Sequence, residues 1–433
     1  MCDENIPSSL EIQILQEVAE MLQEIDSLEK GASIPVISRD GIVDSEHKIA
    51  VSLENGTVVA LIMRHAGLAS LPASLGQLSN LRVLDVTGNL LTSLPASIGN
   101  LRQLKKLYLD ANLLTSLPEI LGNLQSLEEL HADENQLTLL PETIGQLTHL
   151  KILNVYNNRL IAIPTSLSRL AQLEEISLDR NQLTALPESF WQLSNLQILH
   201  LGENQLSTLS ARIGNLTRLH TLDLGHNQFA ALPESLGDLS QLTYFLYLSN
   251  NRLTALPESL GNLAKLRYLN ATDNLLTTLP EAIGNLSQLK ELRLYNNQLA
   301  ALPESLGKLL QLRELHVKNN RLVSLPGSIG SLANLRMFDV SNNRITALPE
   351  SIGRLASLAE LDLRNNKLTA LPASAGKLRC LAFLDLRANT LVSLPASMEG
   401  LTKLEKLDLR WNKLRVIPEW FQGLEQKGCI IYV

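Results

Sequence analysis

The chain has 433 residues, 45% of them apolar but only 4% aromatic, and a formal net charge of −7. Residues 1–57 carry twelve Asp and Glu against three Lys and Arg, so the rest of the chain is slightly positive but has no basic stripe. That argues against nucleic acid or an anionic lipid surface as a partner. The longest apolar runs are far too short to span a bilayer, and Cys2, Cys380 and Cys429 are too few and too scattered for a disulfide framework.

The first residues, Met1-Cys2-Asp3-Glu4-Asn5, are acidic and lack the basic-then-apolar order of a signal peptide, so a cytoplasmic protein is expected. Ser8 to Lys30 reads as a helix. Ser8-Ser9-Leu10-Glu11 fits a capping box, Gly31 stands where a C-terminal cap belongs, and Ile14, Leu15, Val18, Met21, Leu22, Ile25 and Leu28 share one face. This face is expected to pack over the open end of whatever follows; a partner-binding or dimerising helix is the alternative. Short β-like runs between Ile34 and Met63 are broken at Asp40-Gly41 and Asn55-Gly56, both turn signals. We therefore read residues 1–57 as an acidic capping segment, and residues 58–433 as one repeat domain.

Val58 to Gln77 is a degenerate repeat, and fifteen 23-residue repeats follow, the first being Leu81 to Gln103, LRVLDVTGNLLTSLPASIGNLRQ. A period of this length marks a solenoid, whose units cannot bury their apolar sides alone. Each repeat opens with period-two alternation, which predicts a short strand pairing in parallel with its neighbours. An asparagine recurs in all fifteen, from Asn89 to Asn412, and reads as a buried amide serving loop backbone. Proline suits the start of a convex-side turn in every repeat but the sixth, which has Ser210. The Glu that often follows (Glu119, Glu142, Glu188, Glu234) suits a helical N-terminus better than a binding strip. Three departures stand out. The repeat at Leu242 has 24 residues, which predicts a strand bulge at Phe245–Leu246. Phe190-Trp191 replaces the usual Ile-Gly, which places Trp191 exposed on the convex side. Cys429 to Val433 reads as a terminal half-repeat, and puts cysteine five from the end, where prenylation is not indicated.

The pattern Leu-x-x-Leu-x-Leu-x-x-Asn-x-Leu-x-x-Leu-Pro-x-x-Ile-Gly-x-Leu-x-x resembles the leucine-rich repeat family. More narrowly, it resembles the intracellular class that includes the plant Ras-group-related proteins, Scribble and Erbin, and many bacterial and archaeal proteins. The resemblance covers the chain from Val58 onward. It implies an α/β solenoid: a leucine-rich repeat horseshoe with a parallel concave β-sheet and short helical or 3-10 turns on the convex side. It also implies recognition through outward residues of the concave face. Partners in such relatives include small GTPases or their regulators, kinases and phosphatases. The cysteine-rich caps typical of extracellular relatives are not present, which disfavours a secreted or cell-surface adhesin.

Six of the seven tyrosines fall on or beside the strands. With nearby polar residues they make the expected partner-binding set: Tyr108, His131, Tyr156, Tyr244, Tyr247, Tyr268, Arg293, Tyr295 and His316. Asp339, Asp362, Asp385 and Asp408 share a column, and Arg364, Arg387 and Arg410 are expected to neutralise it. Glu128, Glu129, Asp133, Glu134, Glu174, Glu175 and Asp179 form an acidic region broken by Lys151, to which a basic partner surface could be steered. His200 and Asp223 share one column and Glu203 and His226 another, a set that would suit a divalent transition metal. An open sheet offers neither an enclosing cavity nor the supporting hydrogen bonds a metal site needs, so these four read as ordinary polar face residues. No phosphate loop, nucleophile elbow, zinc-protease helix or kinase signature occurs. The expectation is a non-enzymatic protein-binding scaffold in intracellular signalling, with no cofactor.

Overall fold

Two buried requirements shape each repeat: leucines must leave water, and the backbone between strand and turn must find hydrogen bonds. The computed structural model describes residues 7–37 and 48–433. Cys2 and the Asp40-Gly41 turn lie outside these. The chain divides into two units, Met1–Leu206 and Ser207–Val433.

In the first unit, α1 (Ser9–Glu24) starts at a complete capping box: the Glu11 amide donates to Ser8 Oγ at 3.2 Å, and the Ser8 amide donates to Glu11 Oε2 at 3.1 Å. The helix ends six residues before Lys30. Asp26, at φ 57°, takes the left-handed capping position. Its amide reaches the Gln23 carbonyl (3.2 Å) and the Ser27 amide reaches the Leu22 carbonyl (2.9 Å), the paired bonds of a Schellman closure. Gly31 instead lies beyond the helix and donates its amide to Gln23 Oε1. Ile14, Val18 and Leu22 are buried, whereas Ile25, placed on the same face by spacing, is exposed because the helix has closed. Glu11 also accepts the buried Val58 amide at 3.1 Å, which ties α1 to the strands.

Strand β1 (Val36–Ile37) pairs in parallel with β2 (Ile49–Glu54), which turns through Asn55 and Gly56 into antiparallel β3 (Thr57–Met63). Both turn residues have positive φ, 51° and 73°, as a two-residue hairpin requires. From β3 onward the first unit's strands are parallel. Three-residue strands such as Val83–Asp85 and Lys106–Tyr108 pair in register, 23 residues apart. The second unit repeats the arrangement from Thr221–Asp223 to Ile430–Tyr432. There α2 (Phe421–Glu425) replaces the last convex-side turn and buries Phe421 and Leu424, and Cys429 is also buried. No described helix is long and apolar enough to cross a membrane.

The asparagine column works as expected, with more bonds per side chain than the spacing suggested. Asn320 Oδ1 accepts the Leu299 amide at 3.0 Å, and its Nδ2 donates to the carbonyls of Leu294 and Val317, both at 3.0 Å. One amide thus serves its own repeat and the preceding one. The residue before each asparagine is left-handed whatever its type: Ala111, Glu134, Arg180, Ala388 and Trp411 all have φ between 50° and 63°. Prolines precede short 3-10 turns such as Ala96–Asn100; where proline is missing, Ser210 Oγ accepts the Arg212 amide instead. The convex glutamates cap the turn of the next repeat. Glu304 accepts the Gly327 and Ser328 amides, both at 2.9 Å, and these bonds lower its pKa. The turns are so close that a Cβ on Gly145 would strike the Ser166 carbonyl.

Two further expectations are corrected. The extra residue of the 24-residue repeat does not bulge the strand at Phe245–Leu246. Phe245–Tyr247 pairs regularly with Thr221–Asp223 and Tyr268–Asn270, and Leu246 is fully buried. The surplus falls just before the strand: Leu242 follows Leu219 by 23 residues, but Phe245 pairs with Thr221, 24 residues away. Moving Leu246 out of its column would expose it, so the loop absorbs the extra residue. Trp191 is not exposed either: only 2% of it is accessible, and its ring stands edge-on to Phe190 at 5.2 Å. Burying the large indole gains far more than exposing it.

Asn320→Ala strands three buried backbone groups and should lower unfolding stability by about 3 kcal/mol or more. Ala388→Gly relieves the left-handed strain and should raise it by about 0.5 kcal/mol. Urea titrations of the two variants should move in opposite directions.

Candidate partner-binding face

The outward face of each unit is a grid of columns, because strands held in register repeat the same two outward positions. In the second unit the grid carries an aromatic cluster. Phe245 stacks on Tyr247 (centroids 5.6 Å apart) and meets Tyr268 edge-on at 5.7 Å, and Tyr247 and Tyr268 lie 5.3 Å apart. Tyr244 stands edge-on to His220 at 5.2 Å. The Arg293 guanidinium lies 5.5 Å from the Tyr268 ring, and its Nε donates to Glu291. Tyr244 and Phe245 are 47% and 41% exposed, high for rings of this size. Burial pushes up the pKa of the Tyr247 and Tyr268 hydroxyls, the latter to about 12, so both remain O–H donors at neutral pH.

The structure therefore brings Tyr244, Tyr247, Tyr268 and Arg293 together. Tyr295 is half-buried and has no ring contact with the cluster among the described residues, and His316 Nε2 sits 3.3 Å from Glu314 Oε2. Sequence reading missed Phe245 as a face residue, although its ring touches three tyrosines. Counting six residues back from Asn251, rather than forward from Leu242, would have placed it outward. Further along the second unit, the aspartate column is neutralised as expected. Arg364, Arg387 and Arg410 each pair with the aspartate two residues before it, at 3.1, 2.5 and 2.6 Å. Burial, with Asp339 and Asp385 nearby, still holds Asp362 up at about 6.

In the first unit, Tyr108 stacks on His131 at 4.8 Å and donates its hydroxyl to Glu129 at 3.0 Å; Tyr156 lies under the Arg180 guanidinium. The acidic region is only partly free to attract a partner. Lys105 and Lys151 both bind Glu128, holding it down at about 2, and Lys106 pairs with Glu129 at 2.9 Å. Asp133 has no such partner among the described residues. Burial and the adjacent Asp110 raise it to about 7.

Of the four polar residues considered for a metal, His200 lies 3.8 Å from Asp179, and Glu203 is held by Arg180 at 2.9 Å, both within the first unit. In the second unit, Asp223 accepts the Gly225 amide at 2.8 Å and His226 contacts Asn250 at 3.1 Å. Two other groups bring possible ligand atoms within 4.8 Å of one another: Asp110, His131 and Asp133, and Glu291, Glu314 and His316. At the first, burial raises the pKa of both carboxyls, Asp133 to about 7, so protons would compete with a metal there.

A leucine-rich repeat region model matches residues 60–139, 249–340 and 326–426, and a second leucine-rich repeat model matches 125–183, 172–229 and 217–276. The chain is similar to a leucine-rich repeat protein of Leptospira interrogans, with 30% identity over 97% of this chain and 98% of that one, and a TM-score of 0.69. It is also similar to a plant peptide hormone receptor solved with its peptide (30% identity, 84% of this chain and 61% of that one, TM-score 0.74). A third likeness is to InlJ of Listeria monocytogenes (26% identity, 72% and 64%, TM-score 0.62). Comparison with curated proteins gives no match.

Asp133 keeps its proton to about pH 7 in the folded chain but loses it near 3.8 when unfolded. Between those values the folded state binds more protons, so this group makes stability fall as pH rises. Asp133→Asn should raise the melting temperature at pH 8 and leave it unchanged at pH 4 in paired thermal melts.

Proposed function

Since the chain belongs to the leucine-rich repeat family, we propose that it is a non-enzymatic protein-binding module that recognises a folded partner through the outward faces of its strands. The observation that carries this reading is the aromatic cluster of the second unit. Tyr244, Phe245, Tyr247 and Tyr268 present rigid rings beside a guanidinium, and the Tyr247 and Tyr268 hydroxyls are kept as donors. Such a set supplies contact area at little entropic cost, as interface hot spots do. On this reading Tyr108, His131 and Tyr156 make a second contact area on the first unit, and Tyr295 and His316 flank the aromatic cluster.

The Leu-Pro-x-x-Ile-Gly-x-Leu motif supports placement in the intracellular Ras-group-related or Scribble-like class. A cytoplasmic scaffold binding a small GTPase, its regulator, a kinase or a phosphatase follows from that placement. A second reading is a secreted or surface recognition protein, favoured by the likeness to the plant receptor solved with a peptide. Cell fractionation separates the two.

Two buried aromatic contacts of about 2 kcal/mol each would be lost in Tyr247→Ala with Tyr268→Ala. Capture of the partner from native lysate should fall more than about 100-fold relative to the intact chain. The melting temperature should drop by only about 2–3 °C. Undiminished capture would remove the cluster from the interface.

A further inference from the structure

Asp110 and Asp133 stand one repeat apart in the first unit, each two residues after a strand, and the strands' last residues, Tyr108 and His131, pair in register. Each aspartate spends one carboxylate oxygen on the backbone of the next repeat. Asp110 Oδ1 accepts the Asp133 amide at 2.8 Å, and Asp133 Oδ1 accepts the Tyr156 amide at 2.7 Å. The second oxygens have no hydrogen-bond partner among the described residues, and no described lysine or arginine pairs with either carboxylate. Asp85, Glu134 and Glu175 add to the negative field around the pair. His131 completes a half-buried cluster: one ring nitrogen and one oxygen of each aspartate lie within 4.8 Å of one another. Tyr108 stacks on that ring at 4.8 Å, and Glu129 Oε2 lies 3.9 Å from Nε2. On the Nδ1 side, Asn154 Nδ2 lies 3.3 Å away, while Oδ1 of the same amide is buried and has no hydrogen-bond partner among the described residues. A buried oxygen left unpaired is costly and calls for a ligand or a role. Asp110 and Tyr108 also line a cavity of about 570 Å³, which gives a small ligand access to the cluster.

We infer that Asp110, His131 and Asp133 bind a divalent transition-metal ion of the zinc type, with Asn154 Oδ1 as the fourth ligand. Imidazole with carboxylates is a donor set for zinc, whereas calcium and magnesium take oxygen ligands alone. Ligand atoms on tetrahedral zinc are about 3.4 Å apart, so atoms now within 4.8 Å must close by at most about 1.4 Å, a side-chain adjustment. A half-turn of the Asn154 amide sets Oδ1 where Nδ2 stands, 3.3 Å from His131 Nδ1, already the spacing of two such ligands. The supporting bonds that a metal site needs are in place: backbone amides fix both carboxylates, and Glu129 faces the far nitrogen of the ring. The cluster of Glu291, Glu314 and His316 in the second unit is less suited, because Arg293 already neutralises Glu291. A bound ion would tie successive repeats of the first unit together, and this holds whatever partner the outward face recognises.

The test strips the full chain of metal with EDTA, removes the EDTA, and titrates zinc chloride against a chromogenic chelator at pH 7.5, where protons compete less for the carboxylates. The intact chain should take up one zinc with a Kd of about 1 μM or lower. Three variants should each weaken that uptake tenfold or more: His131→Gln, Asn154→Ala, and Asp133→Asn, which keeps an acceptor for the Tyr156 amide. Circular dichroism of each variant without metal should match that of the intact chain, so that the loss reads the site and not the fold. His316→Gln, in the second unit's cluster, should leave the affinity within twofold, and a hundredfold excess of calcium chloride should not displace the zinc. Weak uptake spread over several surface histidines, unchanged affinity in one of the three site variants, an equal loss in His316→Gln, or displacement by calcium would overturn the assignment.

Discussion

The asparagine column is the interaction on which the rest of the structure depends. Each side-chain amide closes hydrogen bonds in two successive repeats, as Asn158 does by accepting the Leu137 amide while donating to the Ala132 and Val155 carbonyls. Without it, the chain leaving each strand would carry buried polar groups with no partner, and that cost would recur in every repeat. Because one amide reaches both its own strand end and the previous one, it also sets the spacing between repeats. The left-handed residue before each asparagine follows from the same demand. The backbone must turn there to aim the amide inward, and alanine, glutamate or tryptophan adopts the conformation where glycine or asparagine would be easier.

That constraint explains how the 24-residue repeat is accommodated. Asn251 holds its bonds to Leu224 and Leu248, and Leu246 holds its place in the buried column. With both ends fixed, the surplus residue has nowhere to go but the stretch before the strand. Tyr244 is thereby pushed to the surface beside Phe245, and the aromatic cluster forms where the repeat is irregular. The face residues, in turn, vary freely above that buried column. Their columns run through tyrosine, histidine, aspartate and arginine without disturbing the leucines beneath.

Charge on the face follows local geometry more than composition. In the second unit, Arg387 and Arg410 lie close enough to Asp385 and Asp408 to cancel an otherwise repulsive column. In the first unit, lysines bind Glu128 and Glu129, while Asp110 and Asp133 have no lysine or arginine partner among the described residues, and burial and their mutual repulsion raise Asp133 to about 7. A carboxylate column can thus be ionised, paired or partly neutral, depending on which side chain stands two residues or one repeat away.

Sequence alone determined the repeat, the inward leucines, the role of the asparagines, the capping box at Ser8 and the Asn55-Gly56 turn. Each follows from local periodicity or from the backbone needs of a single residue, and neither changes with distant context. Only the tertiary structure decided that α1 closes at Asp26, that Trp191 is buried and that the extra residue sits at Tyr244 rather than in the strand. It also revealed Phe245 at the centre of the aromatic cluster. The α1 closure is set by local backbone bonds; the other outcomes turn on which column must stay buried and which neighbour lies one repeat away. Such relations join residues 20 or more positions apart, and the pattern within one repeat does not contain them.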